Sequence, residues 1–85
     1  MGIDEELRHR LEAAFAPTRL EIEDQSEAHR GHGGWREGGG THWRVAISAP
    51  TLGGMSRIER HRAVHAAIGR DLMGRIHALA LEVEG

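Results

Sequence analysis

The stretch Thr41-His42-Trp43-Arg44-Val45-Ala46-Ile47-Ser48, then Pro50-Thr51-Leu52-Gly53-Gly54, then Ser56-Arg57-Ile58-Glu59, changes its period part-way along. Over residues 41–48 side chains alternate, with Trp43, Val45 and Ile47 facing a core and His42, Arg44 and Ala46 opposite. A period of two marks a half-buried strand, and His42 is expected to point away from the core and bond locally. Proline and paired glycines then make a turn. Ser56 and Glu59 form a capping box, in which hydroxyl and carboxylate each satisfy a backbone N–H orphaned at a helix start. Beyond it Ile58, His61, His65, Ile68 and Leu72 fall on one helical stripe flanked by Val64. The pattern predicts a helix from Ser56, with His61 and His65 packing inward and Gly74 as its stop.

Working outward, Leu7, Leu11, Ala14 and Phe15 form one apolar stripe over Asp4–Phe15, with Asp4, Glu5 and Glu6 in the first turn, where acids complement the helix dipole. Pro17 ends that helix and is expected to push Ala16 extended. Arg19–Asp24 alternates, with Leu20 and Ile22 on one side, and reads as a second short strand. Residues 25–40 form a long polar glycine-rich loop, and loops of that length in a small domain are commonly functional. Residues 76–83 read as a third strand, with His77, Leu79, Leu81 and Val83 sharing a face and His77 at its start. The expected fold is α+β: one domain over residues 1–85, in α-β-β-α-β order, with helices on one face of a three-stranded sheet.

Composition narrows the chemistry. The 85 residues include no cysteine, so disulfides, thiolate nucleophiles and thiolate ligands are excluded. The formal charge of −2 argues against a strong nonspecific nucleic-acid binder. All 11 basic residues are arginine, and seven histidines supply the commonest metal-ligating side chain. No phosphate loop, dinucleotide fingerprint or Ser/His/Asp set is present, so an enzyme is not expected, nor a small-molecule substrate. No stretch approaches a membrane span and no signal-peptide layout opens the chain, which makes a cytoplasmic protein the default expectation.

Leu20-Glu21-Ile22-Glu23-Asp24-Gln25-Ser26, the histidine-bearing glycine loop, Thr41-His42-Trp43-Arg44-Val45, Arg60-His61-Arg62 and His77-Ala78-Leu79 follow one another in an order and spacing that resembles the BolA family. The resemblance covers nearly the whole chain. It implies a fold like the class II KH domain. It also implies pairing with a monothiol glutaredoxin to hold a shared [2Fe–2S] cluster, together with glutathione, in cluster trafficking or iron homeostasis. A DNA-binding transcriptional regulator of stress response or morphology is the other role attributed to the family; a stress-related interaction module without metal is a third reading outside it.

A [2Fe–2S] cluster takes four ligands, and histidines can replace two thiolates on one iron. A chain without cysteine can offer only the histidine half, so the isolated chain is expected to bind no cluster. By the family pattern His77 is the C-terminal ligand. His29, three residues after Ser26, is the loop ligand, with His32 as substitute. Arg57, Arg60 and Arg62 cluster on the first turns of the second helix and are candidates for contact with phosphates or an acidic partner. Binding to DNA is expected to be weak.

Overall fold

The computed structural model describes residues 2–25 and 42–85. Helix α1 (Ile3–Phe15) leads to strand β1 (Arg19–Asp24), and strand β2 (His42–Ser48) leads through a 3-10 turn at Pro50–Leu52 to helix α2 (Arg57–Ile68). A one-turn helix α3 (Arg70–Met73) precedes strand β3 (Ala78–Glu84). The sheet has the order β1-β2-β3, so β2 is central and the other two strands form the edges. β1 runs antiparallel to β2, with Leu20 opposite Ile47 and Ile22 opposite Val45. β3 runs parallel to β2, with His42 opposite Ala78 and Val45 opposite Leu81. Parallel neighbours need a crossover, and α2 with α3 provides it. The expected α+β architecture is what is observed.

The core is built from the predicted faces. Leu7 and Leu11 of α1 meet Val45 and Ile47 of β2, Leu52 of the turn, and Val64, Ile68 and Leu72 of the crossover helices, all buried. On the opposite side of the sheet Ala46 is also buried. Arg44 spans that face, 2.7 Å from Glu82 on β3 and 3.9 Å from Glu23 on β1, tying the three strands together.

Three local expectations are corrected. Ala16 is left-handed (φ 45°, ψ 59°), not extended, and its N–H donates to the Glu12 carbonyl at 3.0 Å. Pro17 forbids Ala16 the right-handed helical region, and a helix-capping turn satisfies that restriction as well as an extended residue does. The second helix breaks at Gly69, whose φ of 87° suits glycine, so Leu72 belongs to a separate helix. The buried stripe of α2 is therefore Val64 and Ile68 backed by Ala63 and Ala67, while His65 is exposed, His61 half-buried and Ile58 64% exposed. Neither histidine is a core residue.

The capping box forms as predicted: the Glu59 N–H donates to Ser56 Oγ at 3.2 Å, and the Ser56 N–H donates to Glu59 Oε1 at 3.0 Å. Hydrogen bonding from Ser56 to the Glu59 carboxylate, its backbone N–H foremost and its side chain second, holds that carboxyl below its ordinary pKa. Replacing Ser56 by Ala is expected to cost about 1 kcal/mol of unfolding free energy. Urea denaturation of the parent and variant measures it.

Candidate metal centre

The parallel register decides which histidines meet. His42 opens β2 opposite Ala78, so it lies beside the residue that enters β3. That residue is His77. The two imidazole centres are 5.2 Å apart with their planes at 62°, an edge-to-face pair. His77 stands one position before β3 and is exposed, where core-facing parity was expected. The reason is Ile76, which is 7% exposed and takes the anchoring place at the strand entrance, so the next side chain turns outward. Leu79, Leu81 and Val83 keep the expected half-buried face.

His42 stands on the face opposite the core, as expected; it is nonetheless 5% exposed, and its carbonyl accepts from the Gln25 N–H at 2.8 Å. A buried imidazole beside an exposed one gives a site with a fixed inner wall and an open outer side. His29 and His32 lie outside the described residues. Among the described residues no group of three or more His, Cys, Asp or Glu side chains is placed to hold a metal ion. An exposed imidazole at a strand entrance fits one position of the histidine half of a mixed cluster site.

An ionic clamp fixes the approach to His77. Arg10 on α1 donates to the Ile68 carbonyl at the end of α2 and to both carboxylate oxygens of Asp71 on α3 at 3.0 Å. Glu6, one turn earlier, holds Arg75 at 2.9 Å and lies 3.7 Å from Arg10. Arg75 is two residues before His77, and its N–H donates to the Leu72 carbonyl at 3.0 Å. The hydrogen bond from Arg10 pulls the Asp71 carboxyl down to about 2. The bond from Arg75 likewise holds Glu6 below the ordinary carboxylate range. Glu6 was legible only as a helix-dipole acid; its long-range partners belong to tertiary packing.

The three arginines do not act alike. Arg60 is turned inward: its Nε donates to the Leu52 carbonyl at 2.9 Å and its terminal nitrogen to the Gly53 carbonyl at 3.4 Å. It fastens α2 to the preceding turn. Arg57 and Arg62 are exposed and border a shallow depression of about 410 Å³ with Ile58, His61 and His65. The structure thus leaves two of the three arginines open to a partner.

The profile of the family described as BolA-like protein matches residues 11–84. The chain belongs to the BolA family. Among BolA relatives, human BolA-like protein 1 is 38% identical over 80 residues, covering 94% of this chain and 56% of that protein. The chain thus spans little more than half the length of that relative. The Escherichia coli protein named DNA-binding transcriptional regulator BolA is 32% identical over 81 residues, covering 95% of this chain and 73% of that one. The solved structure of BolA1 from Arabidopsis thaliana superposes with a TM-score of 0.80 at 27% identity, covering 99% of this chain and 92% of that one.

The clamp makes a pH prediction for this BolA-family fold. A carboxylate whose pKa is depressed on folding stabilises the native state above its ordinary pKa, and that stabilisation is lost as pH falls through the folded value. For Asp71 the window runs from its ordinary 3.8 down to about 2. Replacing Arg10 by Met is expected to lower Tm at neutral pH, with the gap to the parent narrowing between pH ~5 and ~2. Thermal unfolding followed by circular dichroism across that range checks it; a gap that stays constant would remove the Arg10–Asp71 pair from the account.

Proposed function

We propose that this BolA-family chain is a non-enzymatic adaptor that pairs with a monothiol glutaredoxin. It contributes histidine to a [2Fe–2S] cluster shared with that partner and its glutathione, in cluster trafficking or iron homeostasis, in the cytoplasm. The observation that carries the reading is the exposed His77, placed at a strand entrance against a second imidazole in a chain with no cysteine. Cluster irons favour thiolates, and this chain has none, so a thiol-bearing partner completes the ligand set. Such a cluster would supply iron–sulfur units for transfer or a spectroscopically visible iron signal. The chain's own part is to present a neutral imidazole nitrogen of His77 from a rigid strand end, with the other ligand imidazole coming from the loop, His29 or His32, as the family resemblance implies.

Reconstitution of the chain with a monothiol glutaredoxin, glutathione, ferrous iron and sulfide tests this. A coloured heterodimer is expected, and none from the chain alone. His77→Ala is expected to abolish the heterodimer's visible circular dichroism pattern, while His61→Ala preserves it. Equal spectra for the two variants would remove His77 from the ligand set.

The second reading is a DNA-binding regulator, favoured by exposed Arg57 and Arg62 and by the name of the Escherichia coli relative. Two phosphate contacts give weak, steeply salt-dependent binding with a slope of roughly −2 in log K against log salt. Fluorescence anisotropy of duplex DNA across a salt series measures it. Tight sequence-selective binding at physiological salt would promote this reading over the first.

A further inference from the structure

We propose that the outer edge of β3 takes an extended segment of a partner protein as an added strand, in a groove walled by the start of α2, and that this segment alternates aliphatic and basic side chains. The surface is separate from the metal site. At about 3.3 Å per residue, Val83 stands roughly 20 Å along the chain from His77.

The backbone of β3 is set up for it. β3 has β2 on one side only. The Ala49 N–H donates to the Glu84 carbonyl at 3.2 Å, so Glu84 turns its backbone groups towards β2. Backbone direction alternates along a strand, so Glu82 and Ala80 follow Glu84, while Leu79, Leu81 and Val83 turn their N–H and C=O groups to the outer edge. Among the described residues nothing bonds them there.

That edge opens into a groove of about 550 Å³. One wall is Met55 with Arg57 and His61 of α2. The β3 lining takes Leu81 and Val83 from the core face and Glu82 and Glu84 from the outer face. A groove lined by both faces of a strand lies along the edge of that strand. A helix beside an open strand edge lets an added peptide bond through its main chain while alternate side chains are read by the wall.

Alternation then sets the chemistry of the occupant. Residues opposite Leu81 and Val83 enter the groove against half-buried aliphatic surface and Met55, which suits aliphatic side chains. Residues opposite Glu82 and Glu84 stand on the outer face, with Cβ atoms about 4.5–5.5 Å from theirs. Glu82 is shared with Arg44, but the exposed Glu84 carboxylate has no side-chain partner among the described residues. A lysine or arginine opposite it makes a favourable cross-strand pair, and an acid there meets like charge.

A synthetic seven-residue peptide alternating valine and lysine is the probe. Titrated into the full chain and followed by backbone amide NMR, it is expected to shift the amides of β3 and to slow hydrogen exchange at Leu81 and Val83. Calorimetry gives the affinity. Two N-methylated peptides leave the protein untouched: one is methylated at every valine, the other at every lysine. The valine-methylated peptide loses its bonds to β3 if the added strand is antiparallel, and the lysine-methylated one if it is parallel. One of the two is therefore expected to bind at least roughly tenfold more weakly than the other. Equal binding by both overturns strand addition. Replacing the lysines by glutamate is expected to weaken binding at least roughly tenfold, and Glu84→Lys to weaken the lysine peptide while favouring the glutamate one. Indifference to both changes overturns the basic occupant. Amides of β3 that ignore the peptide, or that respond instead to concentrating the chain alone or to duplex DNA, overturn the proposal and give the edge to nothing, a second copy or nucleic acid respectively.

Discussion

Parallel pairing between β2 and β3 is the constraint on which the molecule depends. Antiparallel β1 and β2 alone would make a two-stranded ribbon, which cannot hold itself together in water. Adding β3 in parallel forces a crossover, and the crossover is what carries Val64, Ile68 and Leu72 over the sheet into contact with Leu7 and Leu11. The same register places the start of β2 beside the entrance of β3. Core and site are thus two outcomes of one pairing, and a slip of one residue would both turn Leu79, Leu81 and Val83 away from the core and separate the histidines.

Stability and site position are further linked through α1. Its apolar stripe supplies core packing, and its other flank supplies Glu6 and Arg10 to the end of the crossover. These are partly exposed ion pairs, so each contributes modestly in water. Their value is geometric. Arg10 covers a helix-end carbonyl, binds α3 and stands next to the acid that holds Arg75. The short path from Gly69 to His77 is pinned at several points by groups far away in sequence.

How much of this was legible in the sequence depended on the range of the interaction. β1, the capping box of α2 and the inward faces of β2 and β3 follow from period and local hydrogen bonding, and the structure has them where expected. The second helix was misread because His61, His65 and Leu72 continue a plausible stripe across Gly69; the true stripe, Val64 and Ile68, is set by which side of the helix meets the sheet. His77 was legible as a site residue through the family resemblance, yet its outward turn was not, since that follows from Ile76 taking the buried position. The side of β2 that His42 occupies follows from strand parity, but its burial does not: parity says which side of a sheet a residue takes and not what covers that side, and its ring neighbour lies more than thirty positions away in the sequence.

The two sheet edges have a consequence of their own. Edge strands offer unpaired backbone groups to other chains, and natural proteins guard them with charge. β1 carries Glu21, Glu23 and Asp24, and β3 carries Glu82 and Glu84, with arginine at only one position, Arg19, of either edge. Two copies approaching edge to edge would bring acid-rich strands together, a like-charge arrangement that disfavours pairing, although Arg19 and Arg44 neutralise part of it through Glu21, Glu23 and Glu82.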